Sequence, residues 1–402
     1  MTALRLTVAL VALVPAAMVA QSPRTLPAPD ATYDEPFTSV NVGSLRELRD
    51  GRVVVADPRD KIVQLVDFRA NRGAKIGREG SGPAEFGLPM RLFTAAADTS
   101  LLFDPVNSRY LVIGPDGKPV TTFRVELTPA QASPGGGMIR MGMDIPRTAD
   151  ARGRLYFESA GFTMGPDGPR TADSAAIMRY DRGTQKLDTL GWVALPKNNT
   201  SGSASSGNVQ LRIGMANPLT PRDEWAVFPD GRVAIVRSPG YRVDWVLANG
   251  TKQSSAPIKY VALRMGAADR KEEEALRNKG RMNQMSMMVT SGPNGMQRSA
   301  QMGPPPGAPP LEPLTDWPEV KPPFRSGPSN VVARPNGELW VRRTEAAGAK
   351  GTLYDVIDAK GAVTYQVRIG EGLALAGFGN GTVYTTKADS DDLLYLQRHR
   401  MP

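Results

Sequence analysis

The stretch Asp230-Gly231-Arg232-Val233-Ala234-Ile235-Val236, continued by Tyr241-Arg242-Val243-Asp244-Trp245-Val246-Leu247 and then Asn249-Gly250, decides how this chain is read. Two-residue hairpin turns of the favoured hand need positive φ, which Asn, Asp and Gly tolerate at low cost. Here such a turn precedes a run of β-branched and aromatic residues, so the segment reads as turn, strand, strand, turn. The same unit recurs. Asp50-Gly51 precedes Arg52 to Ala56, Asp98 to Ser100 precedes Leu101 to Phe103, and Asp150 to Gly153 precedes Arg154 to Phe157. Asn336-Gly337 introduces Glu338 to Val341, and Asn380-Gly381 introduces Thr382 to Thr386.

Most units carry a second hairpin. Ile62 to Phe68 leads to a turn at Asn71 to Gly73, Tyr110 to Ile113 to one at Pro115 to Gly117, Ile177 to Tyr180 to one at Asp181 to Gly183, and Leu353 to Ile357 to one at Ala359 to Gly361. Four strands in each of six similar units predict an all-β chain folded as a six-bladed β-propeller. A sandwich also uses many short strands but does not need similar units. The sixth unit lacks an outer strand, because the chain stops after Leu373 to Phe378, Thr382 to Thr386 and Leu393 to Arg398. Phe37 to Val42 is expected to supply it and so remove a free sheet edge; the alternative is an independent N-terminal arm.

The stretch Gly77-Arg78-Glu79-Gly80-Ser81-Gly82-Pro83-Ala84-Glu85-Phe86-Gly87-Leu88-Pro89, set between two blades, resembles the linker of NHL-repeat and related six-bladed propellers of bacteria. The Asp-Gly turns, and the Asp-x-x-Gly turn at Asp358 to Gly361, are similar to that pattern. The resemblance runs over residues 35–400 and implies a fold, not an activity. Blade 3 departs from it through long insertions. Similar propeller lactonases use a central divalent ion, whereas similar amidating-enzyme lyases hold metal through several histidines.

Histidine and cysteine narrow the chemistry. Among 402 residues there is no cysteine and one histidine, His399, read as solvated. Disulfides, thiolate sites, multi-histidine zinc sites and a Ser-His-Asp triad therefore lack parts. The formal charge of +9 comes from Lys and Arg scattered among acids, with no basic cluster interleaved with aromatics, so nucleic acid is not an expected partner. Residues 1–20 read as a secretory signal peptide: Arg5 is their only charge, Leu6 to Val14 is apolar, and small residues lead to Ala20. That run falls short of the ~18–20 residues a bilayer span needs, which leaves an uncleaved anchor as the alternative. The mature chain is thus expected to be exported, periplasmic or secreted, monomeric and not membrane-spanning.

The expected organisation is a flexible segment over 21–34, a propeller over 35–402, and an insertion over 263–325. In that insertion, good helix formers predict a helix over 267–279, stopped at Gly280, and a Met- and Pro-rich flexible segment follows over 281–320. Tight turns share one face of the disc, because antiparallel strands place alternate connections on opposite faces. The long connections, Leu127 to Met141, Glu158 to Ser174, Leu195 to Arg222 and Leu263 to Phe324, share the other face, which is therefore the expected working face.

Candidate ligand-binding residues on that face are Asp57, Arg59, Asp60, Asp104, Arg109, Arg237, Tyr241, Arg342 and Arg343. The arginines suit an anionic ligand through bidentate contacts, or simply flank strands as solvated charges. Asp389, Asp391 and Asp392 are candidate oxygen ligands for Ca²⁺ or another divalent ion, with turn capping as the alternative. Met282, Met285, Met287 and Met288 are candidate thioether ligands for Cu(I), or else an apolar lid or partner surface. Gly77, Gly80 and Gly82 lack the Gly-Lys-Ser/Thr of a phosphate cradle and read as a connecting loop. The sum points to a binding or scaffold propeller for a peptide, glycan or protein partner. A divalent-metal hydrolase or lyase is the alternative.

Overall fold

The computed structural model describes residues 22–125, 145–165, 168–196, 201–205, 208–212, 219–281, 285–292, 295–304, 310–311, 313–327 and 329–402. It is a six-bladed β-propeller. Blade 1 is built from Leu45–Glu47, Val53–Asp57, Ile62–Asp67 and Arg72–Lys75. Blade 2 is built from Arg91–Thr94, Ser100–Asp104, Arg109–Ile113 and Pro119–Phe123. Blade 3 follows with Pro146–Ala149, Leu155–Gly165, Gly168–Asp181 and Lys186–Ala194, and blade 4 with Glu224–Val227, Val233–Arg237, Arg242–Val246 and Lys252–Ser254. Blade 5 has Val331–Ala333, Leu339–Arg342, Thr352–Ile357 and Val363–Ile369, and blade 6 Leu373–Phe378, Thr382–Ala388 and Leu394–Arg400. In each blade the chain runs from the innermost strand outward by antiparallel pairing.

The core explains the apolar runs in the second strands, such as Val53 to Ala56 and Val233 to Val236. Each blade is sandwiched between two others, so both faces of its inner strands are buried and a continuous apolar run results instead of alternation. Val53 and Val55 pack with Ala376, Tyr384 and Leu396 of blade 6. Val54 and Ala56, on the opposite face, pack with Leu92, Leu102 and Leu111 of blade 2. Four further clusters join blades 2 and 3, 3 and 4, 4 and 5, and 5 and 6, so six seams close the ring. Fully burying a valine or leucine contributes about 1.5–3 kcal/mol, and these seams rely on such burial in place of disulfides.

Turn chemistry repeats with the blades. Asp50 and Asp230 each accept the amide of the arginine two residues on, at 3.0 Å, and Asp150 binds Arg152 and Arg154 in the same way. Gly51, Gly231 and Gly337 take the positive φ that the turn demands. Blade 2 has no glycine there, and Ala97 and Asp98 adopt positive φ themselves.

The ring closes through the N-terminal segment, but not where the sequence reading put it. The strand that pairs with Leu394–Arg400 is Ala31–Thr32, extended by a bridge from Phe37 to Leu394; residues 38–42 lie beyond it. Arg24–Thr25 adds a fifth, parallel strand to blade 5. Within residues 22–34, expected to be flexible, Arg24–Thr25 and Ala31–Thr32 form edge strands and Tyr33 is fully buried. His399, expected to be solvated, is also fully buried: its ring nitrogens lie 2.8 Å from Thr385 Oγ1 and 2.8 Å from the Pro27 carbonyl oxygen.

Two long connections differ from expectation as well. Much of Glu158 to Ser174 is not a loop but an extension of the second and third strands of blade 3, which pair as far as Gly165 and Gly168. Within 281–320, expected to be flexible, Met285–Gly292 pairs with Gly295–Met302. The helix, α1 (Ala267–Gly280), forms as the sequence predicts. Asp269 caps it by accepting the Gly266 amide at 2.7 Å, and Arg277 and Lys279 occupy its last turn, where cations are favoured. The helix has little apolar surface to bury and docks by charge instead. Asp269 pairs with Lys321, and Glu273 receives both arms of Arg325, one at 2.6 Å.

Candidate functional site

The innermost strands begin on the long-connection face and end on the tight-turn face. Those of the consecutive blades 2, 3 and 4 begin with a charged residue at or next to their first position: Arg91, Arg147 and Glu224. Closing the ring brings these residues to the channel mouth. Arg147 places Nη2 2.6 Å from Glu224 and Nη1 3.3 Å from Glu158, and its guanidinium lies over the Trp225 ring at 4.7 Å. Arg222 pairs with Glu158 and reaches Glu224 at 3.4 Å. The Trp225 indole donates to Glu158 at 2.8 Å, and the Gly327 amide donates to Glu224 at 2.6 Å.

Glu158 shows the electrostatic balance of this network. Burial pushes its carboxyl up, but Arg222 and Arg147, with the Trp225 hydrogen bond, outweigh that and hold it below the usual carboxylate range. Arg91 is different. It donates to the Arg147 carbonyl oxygen at 2.9 Å, and among the described residues no carboxylate lies within ion-pair distance of it. Burial, and then repulsion from Arg147, lower its pKa to about 10. Arg91 and Arg147 line a cavity of about 120 Å³ in the channel, with Phe93, Trp225, Val331 and Val332 among its walls.

A second cluster joins blades 4 and 5. The Tyr241 hydroxyl donates to Asp355 at 2.7 Å, Arg343 donates to the same Asp355 oxygen at 2.9 Å, and Gln366 donates to the other at 2.7 Å. Burial, followed by the Asp355 charge, raises the Tyr241 phenol well above its ordinary range, so it stays protonated. Arg342, beside Arg325 and Tyr354, has its pKa lowered by burial and then by Arg325; its side chain contacts Asn330 at 3.4 Å.

The remaining sequence candidates sit at strand ends and do not converge. Asp57 is buried and accepts the amides of Thr38, Ser39, Arg59 and Asp60. Asp104 does the same one blade on, for Gly87, Leu88 and Asn107. Both clamp the incoming linker to the turn between second and third strands. Arg59 and Asp60 are exposed in that turn. Arg109 holds the carbonyls of Gly82 and Glu85, which fixes the glycine-rich linker as a connecting loop. Arg237 bridges Asp223 and Asp244 at 2.7 and 2.6 Å.

Asp389 accepts the amides of Asp391 and Leu393, as in a capped turn, and Asp392 pairs with Lys279. Among the described residues no group of three His, Cys, Asp or Glu side chains is placed to hold a metal. Met282 lies outside the described residues, and Met285, Met287 and Met288 share one strand of the hairpin. Arg91, Arg147, Glu158, Arg222 and Glu224 escaped the sequence reading. For Arg91, Arg147 and Glu224 the sequence signal is a charge where an innermost strand begins, in successive units; Glu158 and Arg222 carry no such mark.

The tight-turn face is plain in loop length but carries the wide end of the channel. Its cup, about 1010 Å³, is rimmed by the inner turns of all six blades, including Arg49, Ala97, Ala151, Pro229, Pro335 and Asn380. On the opposite face, Tyr260, Val261 and Val320 expose apolar surface beside α1. No described helix is long and apolar enough to cross a membrane.

No protein-family pattern and no curated protein sequence matches this chain. Among solved structures it is similar to a member of the DUF4221 family from Bacteroides vulgatus, at 10% identity over 93% of this chain and 98% of that one, with a TM-score of 0.42. It is also similar to regucalcin, a calcium-binding protein from Agrobacterium tumefaciens, at 12% identity over 95% of this chain and 98% of that one, TM-score 0.39. A third likeness is to virginiamycin B lyase from Staphylococcus aureus, at 8% identity over 92% of this chain and 87% of that one, TM-score 0.34.

Proposed function

We propose that this chain is an exported binding propeller of the NHL-repeat-like type, which recognises a peptide, glycan or protein partner on its long-connection face. One observation carries the reading: the buried and half-buried carboxylates at the mouth and in the adjoining blade 4–5 cluster are already committed. Glu158 faces Arg147, Arg222 and Trp225, Glu224 faces Arg147, Arg222 and Gly327, and Asp355 faces Tyr241, Arg343 and Gln366. A general acid or base needs an accessible oxygen and a pKa near the working pH. Glu158 is held the other way. Committed charges instead make a rigid surface of fixed shape, which is what selective binding needs. The exposed Tyr260, Val261 and Val320 add apolar contact area beside it.

Binding of the purified protein to defined peptide and glycan arrays tests this. Replacing 263–324 by a short Gly-Ser linker, or Glu158→Lys, is expected to abolish the strongest interaction, while Arg49→Ala and Asn380→Ala on the opposite cup leave it intact. Loss confined to the cup variants would move the site to the tight-turn face and overturn the reading.

A further inference from the structure

We propose that the channel mouth on the long-connection face is a carboxylate site, in which Arg91 grips the anion and the cavity walls take a short apolar stem. This rests on the reading of that face as the binding face and names what it holds. The charges are unequal. Arg147 and Arg222 pair with Glu158 and Glu224, two charges against two, so the charge of Arg91 beside them is left over. The Arg91 guanidinium makes one hydrogen bond among the described residues, to the Arg147 carbonyl. A guanidinium carries five N–H donors, so most of this fork is uncommitted.

Its position gives those donors somewhere to point. Arg91 lines the 120 Å³ cavity with Phe93, Trp225, Val331 and Val332, a space equal to about four water molecules in the liquid. That volume suits a carboxylate with a few carbon atoms. The planar fork matches a carboxylate bidentately. A single residual charge balances a monoanion, whereas a phosphate dianion would leave one negative charge unmatched in a partly apolar cavity. The lowered pKa of Arg91 agrees with a desolvated cation awaiting a counter-charge, and at about 10 it leaves the group charged at neutral pH. A free short-chain acid and the C-terminus of a peptide offer the same chemistry.

The test titrates the purified protein with 2-methylpropanoate and its isosteric amide, and with a tetrapeptide ending in valine as free acid or C-terminal amide. Calorimetry reports affinity, and Trp225 fluorescence reports occupancy of the cavity. Each acid is expected to bind about tenfold more tightly than its amide, the worth of a charge-assisted pair. Arg91→Met is expected to bring the acids down to the level of the amides, and Arg91→Lys to give an intermediate affinity. A peptide acid tighter than the free acid assigns the site to chain termini; the reverse assigns it to small acids. Equal binding of acid and amide, or undiminished acid binding by a folded Arg91→Met, overturns the proposal. Should Arg91→Met not fold, the acid and amide pair on the unsubstituted protein decides alone. If the probes fail while array binding still depends on 263–324, only the carboxylate site falls; if both fail, the binding face falls with it.

Discussion

Arg147 crosses the seam between blades 3 and 4 to set its Nη2 2.6 Å from Oε2 of Glu224, a residue with no exposed surface. The pair joins consecutive blades at the channel wall, and the Gly327 amide on the other Glu224 oxygen ties in the segment leading to blade 5. A buried pair loses most when one partner alone is removed, because the other charge is left desolvated. Glu224→Leu is therefore expected to cost about 3–5 kcal/mol. Arg147→Met together with Glu224→Leu is expected to cost less than the two single changes summed. Urea unfolding of the four proteins in a double-mutant cycle measures the difference, and additivity would show that the pair contributes nothing of its own.

Arg91 predicts the opposite sign. Its charge is desolvated and repelled by Arg147, with no carboxylate to offset either effect among the described residues. A base whose pKa falls on folding has its charged form destabilised by the fold, so removing the charge stabilises. Arg91→Gln is expected to raise stability by about 1 kcal/mol, or roughly 1–2 °C in Tm for a chain this large. A lowered Tm would mean that its hydrogen bond to the Arg147 carbonyl outweighs the desolvated charge.

Six-fold repetition was legible because turn chemistry is local: Asp50-Gly51 and Asp230-Gly231 announce their hairpins within a few residues. The site was not, because it depends on which strand ends meet after the ring closes. Nothing local to Arg147 says that Glu224, far along the chain, will face it. Asp57 and Asp104 were ambiguous for a related reason. An aspartate at the end of a strand looks the same in sequence whether it waits for a metal or accepts backbone amides, and here both accept amides. His399 looked solvated because its partner is the carbonyl of Pro27, at the other end of the chain.

That role for Asp57 is testable against metal binding. Its two oxygens already receive four backbone amides and the Thr38 hydroxyl. Asp57→Ala leaves these donors, the buried Ser39 amide among them, without their acceptor and is expected to cost about 2–4 kcal/mol. Millimolar Ca²⁺ is expected to shift the Tm of neither the unsubstituted protein nor this variant. A rise of several degrees on the unsubstituted protein alone, lost in Asp57→Ala, would make Asp57 a cation ligand instead.

Acid should release α1 before it unfolds the blades. Asp269 is only slightly exposed, and burial pushes its carboxyl up. Lys321 and the amides of Gly266 and Ala347 outweigh that and hold it below the ordinary range. A carboxyl depressed by folding adds stability that is fully present above its unfolded pKa, about 3.9, and is lost as pH falls through the lower folded value. Glu158 behaves likewise at the channel mouth. Stability is therefore expected to stay level from neutral pH to about 5 and to fall below about 4. Amide hydrogen exchange along Ala267–Gly280 should accelerate in that window, while the second strands of the blades stay protected. Asp269→Asn keeps the helix cap but lacks the titrating charge, so its α1 is expected to exchange faster at neutral pH and to respond less to acid. Equal acid sensitivity in the variant would show that Asp269 is not the trigger.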